Sequence, residues 1–478
     1  MIDTEALRKK IIELAIQGKL TEQLPSDGDA EDLYAQILNQ KSQLIKEGKI
    51  KKEKPLPEID ADEIPFEIPS NWKWVRLASI GDFISGYTPS NDELYDEGNI
   101  PYFKVSDMNS EGNELYLSHT ILFLRGDSST KQFRSNTIVY PKNGGALLTN
   151  KKRILAQNSV VDLNTGGFMP SQFVSIGYAY LLFLSIDFQD YHKGSAVPTL
   201  DMMKMRNTLV PLPPFAEQER IVESAKTAFE CVDDIKYFQQ QYESDLSVLK
   251  GKIIDAGIRG KLTEQLPEDG DAETLYLQIQ EEKAKLIKEG KIKKEKPLPE
   301  IDADEIPFEI PKNWKWVRLG DIVSKITDGS HNPPPNTGKG YPVISAKNVK
   351  NGEITFVNVD RYTDKSGFEK ENLRTNITRG DVIMGIIGGS IGNIAVYNHD
   401  TEVIAQRSIA IMKAMFLNDY LVMLLQSLYI QNYMRTKASG SAQGGIYLGT
   451  IKEFIVPLPP IKEQERIAKV FKELMLFM

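Results

Sequence analysis

Apolar residues between Ile221 and Ala256 recur at an alternating spacing of four and three: Ile221, Ala225, Ala228, Val232, Ile235, Tyr242, Leu246, Leu249, Ile253 and Ala256, with Gln239 as the one polar interruption. A seam of that period over about five heptads predicts a coiled-coil helix. Pro213 and Pro214 stand before it, Glu217 and Glu219 suit its first turn, and Gly257 is read as its end. At about 1.5 Å per residue, the span 217–256 makes a rod of roughly 60 Å.

A heptad seam needs a partner helix, and the chain carries one in two pieces. Val210-Pro211-Leu212-Pro213-Pro214 and Glu217-Gln218-Glu219-Arg220-Ile221 return as Val456 to Pro460 and Glu463 to Ile467, with the seam continuing through Ile467, Phe471 and Leu474. Lys10-Ile11-Ile12 and Gly18 to Pro25 return as Lys252-Ile253-Ile254 and Gly260 to Pro267. The front of the middle rod therefore recurs at the end of the chain and its back at the start. That is a circular repeat of two similar halves, and it predicts pseudo-two-fold symmetry. The C-terminal half seam reaches Met478, the counterpart of Val232, so the rejoined rod reads shorter than the central one.

Taken in order, residues 1–71 comprise the first half rod, a second helix begun at Asp29 and stopped at Gly48, and a segment from Pro55 to Pro69 whose prolines predict an extended strap. Residues 72–216 read as one globular domain and 314–460 as another, each with short β-type runs between turns and a helical run near its end (175–191 and 417–436). Residues 217–313 repeat the rod, helix and strap, and 461–478 are the last half rod. The expected fold is α+β: two globular α+β domains joined by long antiparallel coiled-coil spacer helices. Of the 60 positions in 18–77, 51 are identical at 260–319, and 44–69 match 286–311 without a difference. Recent duplication accounts for this, as does docking of both straps on two copies of one partner. The Trp72/Trp74 and Trp314/Trp316 pairs are expected in packing.

The single cysteine, Cys231, leaves no internal disulfide and fits a reducing cytoplasm. No apolar run approaches the about 20 residues a membrane helix needs. The net charge of −8 argues against a general nucleic-acid binder. The charge is uneven, however. Residues 72–216 hold 13 basic and 13 acidic groups and 314–460 hold 16 and 12, leaving 29 basic and 41 acidic on the rods and linkers. Two DNA-facing modules on an acidic frame are compatible with this.

No catalytic constellation stands out. There is no phosphate loop ending in Lys-Ser or Lys-Thr, and the 4 histidines have no metal-ligand spacing. Asn332-Pro333-Pro334-Pro335 nearly matches the tetrad with which amino-group methyltransferases stack a flipped base, but Pro335 replaces the aromatic residue. Gly388-Gly389-Ser390-Ile391-Gly392 reads as a strand-to-turn element. As DNA-contacting candidates, Lys and Arg suit phosphates and polar side chains suit base edges. In the first domain these are Lys104, Ser106, Arg134, Lys142, Lys151, Lys152 and Arg153, with Lys151-Lys152-Arg153 as the expected phosphate contact. In the second they are Ser330, His331, Asn332, Lys347, Asn348, Arg374 and Arg407.

With the circular repeat, the Pro-Leu-Pro-Pro-x-x-Glu-Gln-Glu-Arg-Ile segments, the Gly-Lys-Leu-Thr-Glu-Gln-Leu units and the openings Gly86 to Ser90 and Asp328 to His331 in hand, the chain resembles the specificity subunit of type I restriction–modification systems over essentially its full length. The resemblance implies two target-recognition domains that each read half of a split site on double-stranded DNA, held apart by the rods. It implies two modification subunits, which bind S-adenosylmethionine and methylate adenine N6, and two restriction subunits driven by ATP and Mg. The chain itself would bind no cofactor or metal, contribute no catalytic residue and work in the cytoplasm. Because the two domains differ, the expected target is asymmetric. The alternatives are a coiled-coil protein-interaction scaffold without DNA readout, and an autonomous methyltransferase, which the missing cofactor loop opposes.

Overall fold

The computed structural model describes the 478 residues apart from 49, 51–53, 127–130, 195–196, 351 and 440–443. Lys51, Lys52 and Glu53, just ahead of the first strap, thus lie outside the described residues. The chain forms two compact units, Met1–Gln240 and Gln241–Met478, whose boundary falls inside one helix. No helix of the described residues is long and apolar enough to cross a membrane.

The first unit runs α1 (Thr4–Ile16), α2 (Ala30–Lys46), β1 (Lys73–Arg76), β2 (Gly81–Ser85), β3 (Ile100–Phe103), β4 (Tyr116–Leu117), β5 (Phe123–Leu124), β6 (Ile138–Pro141), β7 (Arg153–Leu155), β8 (Val160–Val161), β9 (Thr165–Pro170), α3 (Ile176–Ser185), β10 (His192–Lys193), β11 (Thr199–Leu200), α4 (Met202–Asn207), β12 (Leu209–Leu212) and the front of α5 (Phe215–Ile258). A five-stranded sheet has the order β2-β9-β6-β7-β4, and a three-stranded one β5-β3-β8. One apolar core joins the sheet to α3 and the helices: Ile138, Phe168 and Phe183 sit with Ile221, Ala225 and Ala15.

The second unit holds the back of α5, then α6 (Ala272–Lys288), β13 (Lys315–Arg318), β14 (Val323–Asp328), β15 (Tyr341–Ile344), β16 (Val349–Lys350), β17 (Glu353–Ile354), β18 (Tyr362–Thr363), α7 (Lys365–Thr375), β19 (Val382–Gly385), β20 (Ile394–Val396), β21 (Ile404–Ala405), β22 (Ile409–Ala414), α8 (Asn418–Gln426), α9 (Leu428–Ser439), α10 (Leu448–Lys452), β23 (Ile455–Leu458) and α11 (Ile461–Leu476). Its sheets have the orders β14-β22-β19-β20 and β18-β15-β21. Save for the edge strand β4, this repeats the sheets of the first unit: β14 stands for β2, β22 for β9, β19 for β6, β20 for β7, β15 for β3 and β21 for β8. Even the parallel pair is kept, Tyr102 beside Val160 and Val343 beside Ile404. Two sequences that part company after Leu77 and Leu319 thus build one topology.

The helix of α5 is longer than its seam. Gly257 lies inside it, where a side chain would strike Met423 Cε at 2.9 Å. The stop is Gly260, at φ +66, with the Lys261 N–H donating back to Ala256 O at 2.8 Å; Gly18, at φ +69, ends α1 the same way through Lys19 and Leu14 O at 2.9 Å. Along α1 the contacts climb as those on α5 descend. The Ile2 N–H meets Gln239 Oε1 at 2.8 Å, Arg8 pairs with Asp233, and Gln23 Nε2 reaches Glu217 Oε1 at 2.9 Å. The two helices are therefore antiparallel.

Burial does not follow the expected seam throughout. Ile221, Ala225 and Val232 are buried, and Ala228, Ile235, Leu246 and Ile253 are half-buried. Tyr242 and Leu249 are 57% and 47% exposed. Further on the buried positions are Ile254 and Ile258, one face over from the heptad register. On α11, Ile467 is buried, and Phe471 and Leu474 are half-buried.

The helical runs expected near the domain ends are shorter than read. After α3 the chain turns extended at Ile186 and makes a 3-10 turn at Phe188–Tyr191, and Ser427 separates α8 from α9. The straps are irregular, as their prolines require, and each docks on its own unit. Arg76, 6% exposed, donates to Pro57 O, Glu58 O and the Glu63 carboxylate; Arg318 repeats this with Pro299 O, Glu300 O and Glu305. Part of the strap identity is thus accounted for within the chain.

Candidate nucleic-acid interface

Each unit has a separate two-stranded sheet next to the helical frame. β1 pairs with β12 and β13 with β23, setting Trp74 opposite Pro211 and Trp316 opposite Pro457. Below each pair the Glu-Gln-x-Arg run holds three elements at once. Glu217, fully buried, accepts from Trp72 Nε1 (2.8 Å) and Gln23 Nε2; Gln218 Oε1 accepts the Ser175 N–H ahead of α3 (2.8 Å); Arg220 grips Asp27 with two bonds of 2.6 Å. Glu463, Gln464 and Arg466 do the same with Trp314, Gln265, Leu417 and Asp269. Burial raises the Glu463 carboxyl above the usual carboxylate range, while the arginines hold Asp27 and Asp269 below it.

At the far end of each larger sheet the chain leaving its first strand crosses directly over the parallel pair. Gly86 sits there in the first domain and Gly329 in the second; a Cβ would lie 2.1 Å from Asp162 O or 2.2 Å from Gln406 O. No other residue type fits so close a backbone approach. The crossing chain is pinned by matching bonds, Tyr87 N–H to Val161 O (3.0 Å) and Ser330 N–H to Ala405 O (2.7 Å). Beside it β3 and β15 end in a capped turn: Lys104 N–H donates to Asp107 Oδ2 (2.8 Å) and Ser345 N–H to Asn348 Oδ1 (2.9 Å). The strand that follows is reached through a β-turn, Asp162 to Thr165 or Gln406 to Ile409, each closed by an N–H···O bond of 3.0 Å.

This rim gathers several of the expected contacts. In the first domain Lys104 and Ser106 are exposed on the capped turn. Lys142, half-buried, follows β6 with no acceptor for its Nζ among the described residues, and burial pushes its pKa down, with Asp162 opposing and Lys131 adding to the shift. A cation so desolvated attracts an incoming anion more strongly than one in water. In the second domain His331 and Asn332 are exposed beyond the crossing glycine, and His331 Nε2 meets Asp328 Oδ2 at 2.6 Å. Arg374 donates to Asp328 Oδ1 at 2.8 Å and to Gly329 O. Lys347 pairs with Asp360, and Arg407 stands exposed with no side-chain partner among the described residues.

Other expected contacts are not available. Lys152 is 2% exposed, its Nζ donating to Ile186 O (2.7 Å) and Asn150 Oδ1 (2.6 Å) over the Phe188 ring, and burial pushes its pKa down to about 7. Arg153 is engaged with Met108 O and Lys152 O, and Lys151 with Asn109. Arg153 opens strand β7 and Lys152 before it is internal, so the run does not form the three-residue phosphate contact expected; Lys151 stays half-buried. Arg134 is exposed, but it precedes β6 at the opposite end of the sheet, near Gly81 and Pro170. Ser330 and Asn348 are buried, Ser330 within the crossing chain where its backbone bonds Ala405 and Arg407, and Asn348 as the cap of Ser345 and donor to Thr355 O. Leu163, Lys131 and Asp162 belong to the rim and went unread, since only the nonlocal strand pairing brings them to the Gly86 to Ser90 opening. Gly388–Ser390 is a 3-10 turn after β19, as expected. Among the described residues no group of three His, Cys, Asp or Glu could hold a metal ion.

The family model described as the type I restriction modification DNA specificity domain matches twice, over residues 69–236 and 311–476. The EcoAI specificity subunit of Escherichia coli is 28% identical over 526 residues, covering 98% of this chain and 88% of that protein. The Escherichia coli EcoEI specificity subunit is 29% identical over 393 residues, covering 69% of this chain and 64% of that protein. A solved chain from work on complex assembly and conformational transition of a type I R-M system superposes with a TM-score of 0.58 at 18% identity, covering 86% of this chain and 92% of that one, which shows a shared fold. With two domain matches spanning most of its length on the two repeated frames, this chain belongs to the type I restriction–modification DNA specificity family.

Proposed function

We propose that this chain selects the DNA target of a type I restriction–modification complex, each β-rich domain reading one half of a split, asymmetric duplex site. One observation carries the reading. The two rims share the crossing glycine, the capped turn and the β-turn, yet present different side chains: Lys104, Ser106 and Lys142 on one, His331, Asn332, Lys347 and Arg407 on the other. Equal platforms with unequal reading groups suit two different half-sites, with the cations on phosphates and the polar groups at base edges.

The frame carries the partners. Two modification subunits bind S-adenosylmethionine and methylate adenine N6, and two restriction subunits use ATP and Mg; this chain supplies neither cofactor site nor catalytic group. α5, paired with α1 and α11, serves as the coiled-coil spacer. The complex works in the cytoplasm.

Mapping methylated adenines in a host genome with and without this chain tests the reading. A bipartite, non-palindromic motif that appears only with the chain supports it. A single uninterrupted motif, or methylation independent of the chain, overturns it. Mobility shift of duplex DNA by the assembled complex across a salt series tests the contact directly; an absent shift would favour a protein-binding scaffold.

A further inference from the structure

Leu163 and Arg407 occupy one and the same position in the two domains. Each is the second residue of the β-turn between the parallel-paired strand (β8 or β21) and the sheet strand after it (β9 or β22). In both turns the fourth N–H closes onto the first C=O at 3.0 Å. Both turns are locked from two sides. Asp162 N–H donates to Phe103 O (2.9 Å) and Gln406 N–H to Ile344 O (2.8 Å). The third residue accepts in each: Asn164 O from Lys142 N–H, and Ser408 O from Ile386 N–H. The crossing chain then ties the second residue itself. Leu163 N–H donates to Thr88 Oγ1 (3.2 Å) and Arg407 N–H to Ser330 O (3.0 Å). The backbone at this corner is thus held rigidly in both domains, and only the side chain differs.

That side chain has no role inside its own domain. Leu163 is 56% exposed, and the Arg407 guanidinium has no partner among the described residues. Its neighbour Arg374 differs in being engaged with Asp328 and the Gly329 carbonyl. A rigid backbone that presents a free guanidinium is what bidentate recognition of guanine O6 and N7 requires, and a presented aliphatic group is what contact with the thymine methyl requires.

We propose that this turn is a base-reading element of each domain, with Arg407 reading a guanine in one half-site and Leu163 resting on a thymine methyl in the other. The inference rests on the target-selecting function above and names the residues by which the two half-sites come to differ.

The test uses the assembled modification complex and duplexes carrying the motif mapped for the wild-type chain, with each half-site position replaced in turn by the other bases. Arg407→Leu and Arg407→Lys are both expected to lose about 10-fold or more of the discrimination at a single G·C pair of one half-site. The other half-site should be read as before. Leu163→Ser is expected to relax a single T·A pair in the opposite half-site by a few-fold. Both positions are exposed, so the folds should persist; should Arg407→Leu fail to accumulate, Arg407→Lys carries the test, because it keeps the charge and loses the fork. Arg407→Lys retaining full discrimination overturns the proposal, since Arg407 would then serve only as a charge on a phosphate. So does a uniform loss across the panel, an unchanged motif in all variants, or a mapped motif without a G·C pair in one half. A wild-type chain that directs no split motif at all removes the underlying function, and this inference with it; a split motif unchanged by the variants removes the inference alone.

Discussion

Trp72 and Glu217, 145 residues apart, meet in a buried hydrogen bond of 2.8 Å, and Trp314 and Glu463 repeat it at 2.7 Å. The first residue of each β-rich domain is thereby fastened to the first turn of the helix that leaves it. Removing the donor leaves a buried carboxylate short of a partner. Trp72→Phe should cost about 1–3 kcal/mol in urea unfolding, and Trp314→Phe the same, while Glu219→Gln on the exposed face should stay within about 0.5 kcal/mol.

The Asp27–Arg220 and Asp269–Arg466 pairs set an acid limit. Both carboxyls are held below their ordinary 3.8 by arginine hydrogen bonds. Their contribution is therefore complete above that value and fades as pH falls through the lowered folded-state pKa. Asp27→Asn and Asp269→Asn should flatten the acid branch of a stability–pH curve and leave its neutral region lower than wild type.

Lys152 titrates in the other direction. Its pKa stands at about 7 in the folded chain against an ordinary 10.5. The unfolded chain binds more protons between those values, so stability should rise with pH across that window. Lys152→Met should abolish the rise. Because the ammonium is internal, the variant should also leave the salt slope of DNA binding unchanged, where loss of a phosphate contact would reduce it by about 1.

Gly86 and Gly329 admit no side chain beneath the crossing segment. Gly329→Ala should displace the turn that holds Arg407 and weaken reading of one half-site while sparing the other, and Gly86→Ala should do the converse. Methylation of paired duplexes carrying only one intact half-site reads this directly.

A spacer role for the helices predicts a change in motif geometry. One heptad added to α5 and its partners lengthens them by about 10 Å, near three base pairs at about 3.4 Å each. The methylated motif should widen by that spacer and keep both half-sites; altered half-sites would refute the role.

The helical frame was legible because its signals are local or repeated. Asp29, Gly48 and the strap prolines act within a few residues, and the circular repeat announced two units built alike. Gly257 misled because a glycine that serves close helix packing looks like one that ends a helix, and the true stop, Gly260, is set by left-handed backbone. The rim was legible only in part. Lys104 and Arg407 stand out as charged residues in turns. Lys151-Lys152-Arg153 reads as a surface patch until the fold takes Lys152 inside, and Asn348 reads as a polar contact until its capping bond is seen. Leu163 carries no chemical signal at all; only the strand order shows it to be the counterpart of Arg407.

The pairing of β1 with β12, and of β13 with β23, means that each recognition module departs from the frame and rejoins it at adjacent strands. Anything inserted between those two strands is a cassette with a common plug. Nearly identical sockets, 18–77 and 260–319, carry inserts that differ in sequence yet share a topology. On the proposed reading of one half-site per domain, such a cassette could be replaced without disturbing the socket that the other domain uses.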